Sequence, residues 1–250
     1  MRSQSAIRQG FCRIIRASPI DLCVVTESWI THDQAAVRVE CTPPGYSFTG
    51  HCQSGQKGGG IAVIHRSPIL LTKITEGEKT SFEFAEYIVT SGSDKLRLVV
   101  VYRIPYSPAH PIGISTFLDE LADFLESTVL TPEPLLITGD INIHVDVPDD
   151  PDAIKFLDLL DSLGLAKHVK TPTHRCGHTL DLIITREINS LIGTTPMTYL
   201  RLLFLGSLYS AALYVAETGF IQETENNWHL RIQKRSTGIQ PLSRRSSRSK

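Results

Sequence analysis

Short apolar runs, each bounded by polar or turn-forming residues, recur along the chain as far as Arg186. Runs of this length flanked by Gly, Pro, Asn or Asp are typical of buried β-strands. They predict strands at DLCVVTES (21–28), GGIAVIH (59–65), EFAEYIVT (83–90), LRLVVVYRI (96–104), LLITGDINIHVD (135–146) and TLDLIIT (179–185). The turn-rich SGSD at 91–94 predicts that the third and fourth of these strands form a hairpin.

Helical spacing of apolar residues predicts three helices. The first covers residues 4–17, and the second is STFLDELADFLESTVL (115–130), which Ser115 or Thr116 can cap. Its expected inner face is Phe117, Leu118, Leu121, Phe124 and Leu125. The third helix begins with an Asp150 cap and a proline at its first position, and Gly164 ends it. Its expected inward residues are Ile154, Leu157 and Leu160.

The order of these elements indicates an α+β protein. Some strands are joined by hairpins and others by helices, which predicts a mixed sheet system rather than a strict βαβ alternation. Beyond Arg186 the strand pattern stops, and the chain ends in the Ser/Arg-rich QKRSTGIQPLSRRSSRSK. We therefore predict a folded domain at 1–186, a non-matching apolar segment at 187–233 and a basic disordered tail at 234–250.

The apolar stretch LLFLGSLYSAALYVA (202–216) invites a membrane interpretation. It has 15 uncharged residues, whereas a membrane-spanning helix needs about 20. We therefore expect a buried helix or a misfolded remnant here, and no membrane partner. The N-terminus has basic residues throughout and no uninterrupted apolar run, so we expect no signal peptide and an intracellular protein, in nucleus or cytoplasm.

Composition and charge narrow the class further. The chain is 41% hydrophobic and 20% charged, as in soluble globular proteins. Its five cysteines are odd in number and show no CxxC spacing, which argues against a disulfide scaffold and a zinc site. Residues 234–250 hold six basic residues and no acid, and such a tail either contacts nucleic-acid phosphates or is a solvated end without function.

Candidate chemistry begins where the strand LLITGD meets polar residues. On an extended chain Asp140, Asn142 and His144 would share one face, and the isoleucines between them would hold the other face against the core. Glycine before Asp140 allows close backbone approach. A carboxylate that leaves a core strand must be paired, solvated or on a metal.

Two further acids are candidates for the same site. Glu27 ends a buried strand in VVTESWI, and Asp181 is a lone acid in the apolar HTLDLIIT. Acids and an amide at the ends of separate strands suggest a hard divalent cation, and Mg²⁺ fits best. GQKGGGIAV (55–63) reads as a turn feeding a strand, because it lacks the Gly-Lys-Ser/Thr of a P-loop. We expect Trp29 and Phe48 to be packing residues.

In their order and spacing, DLCVVTESWI, GGGIAVI, LVVVYRIP, LLITGDINIHVD and HTLDLIIT resemble the endonuclease/exonuclease/phosphatase superfamily. The chain most resembles the apurinic-type endonuclease domain of LINE-type retrotransposons, over roughly residues 1–186. The resemblance implies a four-layer α/β/β/α sandwich of the DNase-like kind. It also implies phosphodiester hydrolysis that depends on Mg²⁺, with Mn²⁺ as the alternative. The implied partner is DNA, nicked to start reverse transcription, and no small-molecule cofactor is expected.

The resemblance also implies a role for each site residue. Glu27 would be the principal metal ligand, and Asp140 would orient or deprotonate the attacking water. Asn142 would position that water and the phosphate, and Tyr102, in VVYRIP, would contact the scissile phosphate. Asp181 would match the acid that orients a catalytic histidine.

The chain departs from the family pattern in its last third. The family's Ser-Asp-His element has no counterpart, because no Asp follows Asp181 and the one later histidine is His229 in NNWHLRI. Met1-Arg2-Ser3 resembles the tail of the family's first strand without its asparagine. We therefore expect a truncated copy that is incomplete at its C-terminus. Replacement of the lost histidine by His144 or His178 is not favoured.

Three functions follow as alternatives, so whether the chain is an active enzyme is left open. The first is a DNA-nicking retrotransposon-type endonuclease, impaired by loss of the His-Asp element. The second is a non-catalytic retroelement remnant that binds nucleic acid through its basic tail. The third is a phosphoinositide-type phosphatase of the same fold.

Overall fold

The computed structural model describes residues 12, 15–16, 20–30, 34–51, 59–170, 172–174, 176–186, 200–207, 210–218 and 230–234. The strands of these residues are β1 (Leu22–Val25), β2 (Tyr46–His51), β3 (Ile61–Arg66), β4 (Leu70–Glu78), β5 (Phe82–Ser91), β6 (Asp94–Arg103), β7 (Leu135–Asp140), β8 (Leu165–Lys167), β9 (Asp181–Arg186), β10 (Leu200–Ser207), β11 (Ser210–Thr218) and β12 (Leu230–Lys234). Their helices are α1 (Ala35–Cys41), α2 (Ile114–Thr128) and α3 (Pro151–Ser162).

The strands form two six-stranded sheets. The first has the order β12-β11-β10-β1-β3-β2, and the second has the order β4-β5-β6-β7-β9-β8. Both sheets are mixed, since β1 is parallel to β10 and antiparallel to β3, and β6 is parallel to β7 and antiparallel to β5. The helix α2 crosses between the parallel strands β6 and β7, and the hairpin predicted at 91–94 joins β5 to β6.

The alternation of side chains along β1 and β3 explains how the layers stack. Leu22, Val24, Ile61 and Val63 belong to one buried cluster, which also contains the core of the second sheet and of α2 and α3. The residues between them belong to a second cluster on the opposite face, with Ile15 and with Cys41 of α1. Because both faces of the first sheet are covered, its central strands read as continuous apolar runs. The predicted four-layer α/β/β/α sandwich is confirmed.

Helix α2 packs as predicted but begins differently. Phe117, Leu121 and Leu125 are buried on its inner face. Neither Ser115 nor Thr116 caps the helix; it begins after Gly113, an extended residue with no side-chain cap bond. Its docking is instead supported by another contact, since Glu120 accepts hydrogen bonds from both the backbone N–H and the hydroxyl of Ser81, at 2.9 and 2.6 Å.

Helix α3 confirms the predicted cap and corrects its inner face. The Asp150 side chain accepts a hydrogen bond from the backbone N–H of Asp152 at 2.9 Å, and Pro151 occupies the first turn. Ala153, Phe156 and Leu160 are buried, whereas Ile154 is exposed. The inner face is therefore rotated toward Phe156, which lies three and four positions from its buried neighbours.

The expectation that strands end at Arg186 is wrong. β10 pairs in parallel with β1, and β11 and β12 extend the first sheet by antiparallel pairing. Residues 202–216, expected as a buried helix or a misfolded remnant, lie mostly in the hairpin of β10 and β11. In the part of the chain that the structure describes, no helix is both long and apolar enough to span a membrane. The division of the chain near 186–190 stays a prediction.

Two other predicted segments lie largely outside the described residues. Of the helix predicted at 4–17, Cys12, Ile15 and Arg16 are described and are helical. Ile15 is buried, and the Cys12 thiol donates to the Glu40 carbonyl at 2.9 Å, so this segment docks against α1. Of the predicted basic tail, Lys234 ends β12, and residues 235–250 are outside the described part.

Candidate active site

The centre of the second sheet places three candidate residues side by side. Tyr102 on β6 is in register with Asp140 on β7, and Asp140 is in register with Asp181 on β9. Gly139 makes this spacing possible, because a Cβ there would lie 1.7 Å from the Val101 carbonyl oxygen on β6. The close approach predicted for this glycine is confirmed.

Asn142 reaches the site by a turn, not by the strand continuation expected from the sequence. β7 ends at Asp140, and Asn142 adopts a left-handed backbone with φ 53°. Its backbone N–H donates to Asp140 Oδ1 at 3.2 Å, which holds the Asn142 backbone against the Asp140 carboxylate. Ile141 and Ile143 are buried as predicted, whereas His144 is exposed and shares no strand face with the other two.

Arg103 is a neighbour that the sequence did not single out. Its guanidinium donates to the Asn142 carbonyl at 2.9 Å, and the Asn142 side-chain amide donates to the Arg103 carbonyl at 2.8 Å. The guanidinium also lies over the Phe117 ring, with 5.3 Å from its carbon to the ring centroid. This reciprocal pair fixes the Asn142 side chain, and burial lowers the pKa of Arg103.

Glu27 comes to the same place from the first sheet. It follows β1 in a left-handed conformation with φ 48°, and its Oε1 accepts a hydrogen bond of 2.6 Å from the Tyr102 hydroxyl. Backbone N–H groups of Ser28 and Trp29 donate to the carbonyls of Gly60 and Gly59, both at 3.0 Å. Gly59 and Gly60, with φ of 68° and 87°, therefore brace the segment after Glu27 just before β3 begins, and the rest of the turn predicted at GQKGGGIAV lies outside the described residues.

Two of the three carboxylates, Asp140 and Asp181, have raised pKa values because they are buried and close to other negative charges. Burial raises the pKa of Asp140 well above its usual range, and the negative charges of Asp181 and Glu27 raise it further. Burial likewise raises the pKa of Asp181, with a contribution from Glu27. Burial and Glu27 together also raise the pKa of Tyr102, so its hydroxyl keeps its proton and donates to the carboxylate.

Asp181 is only partly satisfied. Its backbone N–H donates to the Thr173 hydroxyl oxygen at 2.9 Å, which anchors the start of β9. Its Oδ1 is buried and has no hydrogen-bond partner among the described residues. A buried carboxylate oxygen without a partner carries a large desolvation cost. The sequence predicted that Asp181 needs a partner. The described residues supply no partner for its Oδ1.

Glu83 is a fourth acid of this region, and sequence reasoning missed it. It is fully buried on β5, in register with Tyr102, and its Oε2 accepts a hydrogen bond of 2.7 Å from the Gly60 N–H. Burial raises the pKa of Glu83 to about 7. The signal was present in the sequence, because EFAEYIVT, like HTLDLIIT, carries acids inside an apolar strand.

Replacing Glu83 with glutamine is expected to change how stability depends on pH. The raised pKa means that the stability contributed by Glu83 is present below its ordinary pKa and is lost as pH rises through about 7. Between about pH 4 and pH 8, the wild type should lose on the order of 3 kcal/mol relative to Glu83→Gln. Urea unfolding in EDTA measures this, with exposed Asp119→Asn as the control. Parallel pH curves for Glu83→Gln and wild type would contradict the assignment.

The chain also matches a known protein family over most of its length. The model of the endonuclease/exonuclease/phosphatase family matches residues 6–213. The chain belongs to this family. The family resemblance drawn from the motifs is thereby confirmed, and the match extends beyond residue 186 into β10 and β11. No curated protein sequence matches the chain.

Solved structures of the family share the fold at low sequence identity. The endonuclease domain of TRAS1, a telomere-specific non-LTR retrotransposon, has a TM-score of 0.51 at 14% identity, covering 74% of this chain and 81% of that one. The AP endonuclease LMAP from Leishmania major has a TM-score of 0.55 at 10% identity, covering 83% and 79%. The Bacteroides thetaiotaomicron VPI-5482 mannosyl-6-phosphatase Bt3783 has 0.54 at 10%, covering 92% and 87%. The fold is therefore shared by nucleases and a phosphatase.

The site suits a hard divalent cation that shares its ligands with water and substrate. Mg²⁺ is held in proteins by one or two carboxylates together with water and phosphate oxygens. Among the described residues no group of three His, Cys, Asp or Glu side chains is arranged to hold a metal by itself. However, like charges crowd at Asp140, and the unpaired oxygens of Asp181 and Glu83 lie buried in the same region. A cation would offset this repulsion.

Two histidines lie on the loops that follow Asp140 and precede Asp181. The rings of His144 and His178 stack with centroids 4.1 Å apart, and His178 Nδ1 lies 3.2 Å from Asp146 Oδ2. Asp146 also accepts a hydrogen bond of 2.7 Å from the Thr179 N–H. Asp181 Oδ1 has no hydrogen-bond partner among the described residues, so neither imidazole is hydrogen-bonded to that oxygen.

Proposed function

We propose that the chain is a phosphodiester hydrolase by descent, of the DNA-nicking retrotransposon type, with an impaired catalytic site. The observation that carries the proposal is the meeting of Glu27, from the first sheet, with Tyr102 and Asp140 of the second. The fold is shared with the retrotransposon endonuclease domain of TRAS1 and with an AP endonuclease, both of which are named as nucleases. These likenesses support a nucleic-acid substrate.

The contacts of the site residues suggest a different role for each of them. Glu27, fixed by the Tyr102 hydroxyl, would hold Mg²⁺ or Mn²⁺. A bound divalent cation neutralises negative charge that develops on the reacting phosphate. Asp140 has a raised pKa and accepts from the Asn142 N–H, which supports a role in orienting and deprotonating the attacking water. Asn142, locked by Arg103, would position that water and the phosphate.

The unpaired Asp181 oxygen supports the proposal that the catalytic site is impaired. In the pattern that the motifs resemble, this acid orients a histidine, and no Ser-Asp-His element follows it in this sequence. Loss of one positioned acid, base or oxyanion donor costs about 10²–10⁴ in rate. The same observation favours a second candidate function, in which the chain is a non-catalytic remnant that binds nucleic acid through the basic residues of 234–250.

Incubation with supercoiled plasmid, in Mg²⁺ and in EDTA, tests the proposal. We expect slow nicking in Mg²⁺, none in EDTA, and none from Glu27→Gln, which keeps the acceptor for the Tyr102 hydroxyl but removes the negative charge. Asp119→Ala, which removes an exposed carboxylate from α2, should nick like the wild type.

The alternative functions give different results. No nicking from the folded wild type, together with plasmid binding that weakens steeply with salt, would favour the non-catalytic remnant. Release of phosphate from a phosphoinositide headgroup, without nicking, would favour the phosphatase. Equal nicking by wild type and Glu27→Gln would contradict the assignment of Glu27.

A further inference from the structure

Glu83 is a buried acid that has no role in the chemistry proposed above. Its side chain is fully buried on β5, and its partner in register on β6 is Tyr102, whose hydroxyl donates to Glu27. Burial raises the pKa of Glu83, and the negative charges of Glu78 and Glu27 raise it further. Glu83 therefore lies within electrostatic reach of the proposed cation ligand. Burying a carboxyl group is costly, so the hydrogen bond that it makes there needs an explanation.

Glu83 is hydrogen-bonded to the glycine turn that precedes β3. The Gly60 N–H donates to Glu83 Oε2 at 2.7 Å, and this contact joins the second sheet to a loop of the first. The Gly60 carbonyl in turn accepts a hydrogen bond of 3.0 Å from the Ser28 N–H. A Cβ at Gly60 would lie 2.7 Å from Ser28 Oγ, so the Ser28 side chain packs directly against the glycine. Gly60 therefore links Glu83 to the residue that follows Glu27.

The backbone of Glu27 depends on contacts of this kind. Its φ is 48°, in the left-handed region that residues other than glycine rarely adopt. Such a conformation persists only where the surrounding contacts hold it in place. The Tyr102 hydroxyl holds the Glu27 carboxylate, and the Gly60 carbonyl holds the backbone N–H of Ser28. Glu83 adjoins both supports, since it is in register with Tyr102 and hydrogen-bonded to Gly60.

We propose that Glu83 is a positioning residue for Glu27. Through Gly60 and Ser28 it fixes the backbone from which the Glu27 carboxylate binds a divalent cation. It acts as a hydrogen-bond acceptor and not through its charge. The inference rests on the proposed function, to which it adds a residue that orients the cation ligand. Removing a hydrogen-bond partner that orients a metal ligand typically lowers metal affinity about 10- to 100-fold.

Binding of Mn²⁺ tests this role without catalysis. Electron paramagnetic resonance of free Mn²⁺, recorded with the full chain, gives the Kd, and loss of binding in Glu27→Gln identifies the component that belongs to this site. Glu83→Gln and Glu83→Met both remove the charge of Glu83 and keep its approximate size. Only glutamine retains an oxygen that can accept the Gly60 N–H. We expect Glu83→Gln to bind like the wild type and Glu83→Met to bind about 10- to 100-fold more weakly.

Two further measurements separate positioning from a general loss of structure. Urea unfolding in EDTA gives the stability of each variant, and a merely structural role would destabilise Glu83→Met without changing the Mn²⁺ affinity of its folded form. Gly60→Ala breaks the same link with Glu83 intact, because the added methyl group would displace Ser28. It should also weaken Mn²⁺ binding, and it decides the question if Glu83→Met does not fold. Glu126→Met, at an exposed acid of α2, should bind Mn²⁺ like the wild type.

The outcomes separate this inference from the proposed function. Weaker Mn²⁺ binding by Glu83→Met than by Glu83→Gln, in a protein that does not nick plasmid, would support the positioning role and count against hydrolysis. Plasmid nicking together with equal Mn²⁺ affinity in these two variants would overturn the positioning role alone. A wild type that binds no Mn²⁺ in a manner dependent on Glu27 would overturn the positioning role as well, whatever the plasmid assay shows.

Discussion

Replacing Asp140 with asparagine is expected to lower nicking by about 10²–10⁴ and at the same time to stabilise the fold. Asparagine keeps an oxygen that can accept the Asn142 N–H but cannot deprotonate water. It also removes a negative charge that burial, Asp181 and Glu27 disfavour, which is why the pKa of Asp140 is raised. Above neutral pH this should raise the free energy of unfolding relative to the wild type.

Both effects are measurable on one preparation. Plasmid nicking in Mg²⁺ gives the rate, and urea unfolding in EDTA gives the stability without bound cation. Asp119→Asn, on the exposed face of α2, should change neither quantity. A variant that nicks at the wild-type rate would remove Asp140 from the reaction. A variant that is less stable than the wild type would mean that the negative charge at Asp140 is compensated in the folded protein.

Replacing Gly139 with alanine is expected to have the largest effect on folding. The added methyl group would lie 1.7 Å from the Val101 carbonyl oxygen and 2.7 Å from its carbon, both backbone atoms of β6. Neither strand can yield without breaking the parallel pairing of β6 with β7 at the middle of the second sheet. We expect a loss of more than about 4 kcal/mol, a large part of the 5–15 kcal/mol available to a typical domain.

Thermal or urea unfolding followed by circular dichroism measures this loss. Gly113→Ala is the matched control, because Gly113 has φ −76° and no atom within 4 Å of the added methyl group. It should shift stability by no more than about 0.5–1 kcal/mol. A Gly139→Ala protein that unfolds cooperatively at the wild-type denaturant concentration would mean that β6 and β7 are further apart than described.

Up to Arg186, the strands that sequence reasoning found and those that it missed differ in their position in the sheets. The predicted ones, such as β1, β3, β6 and β7, lie inside the sheets and are apolar almost throughout. β2, β4 and β8 were missed, and each lies at the edge of a sheet. β4 alternates weakly and is mostly exposed, and β8 has three residues. Edge strands bury less surface, so their sequences carry less of the apolar pattern.

The segment 202–216 was misjudged for a different reason. An uncharged apolar run is compatible with a buried helix or with strands, and periodicity alone does not separate the two. The first part of the segment is a strand because β10 pairs with β1. The second part, β11, then pairs with β10 as a hairpin. A partner strand is distant in sequence, so its contribution was not visible locally.

Site residues could be predicted from the sequence where a charged side chain occurs in an otherwise apolar strand. Asp140 and Asp181 stood out as acids at or inside apolar strands, and the structure places them in register. Glu83 met the same criterion and was overlooked. Trp29 was expected to pack but is half exposed, and it has a left-handed backbone conformation (φ 53°) that the strand pattern does not reveal. Such a conformation depends on the glycine turn at 59–60, more than 25 residues away.

The hydrogen bond between Tyr102 and Glu27 has a consequence for when the chain is competent to act. It joins the two sheets, which also share an apolar core and the hydrogen bond from the Gly60 N–H to Glu83. A nascent or partly folded chain can complete either sheet and still lack the assembled centre, because each sheet holds only one half. Cleavage would thus require the two sheets to be packed together. A thermal fluctuation that separates them would abolish cleavage reversibly. The Tyr102–Glu27 hydrogen bond therefore makes the integrity of the candidate site depend on the packing of one sheet against the other.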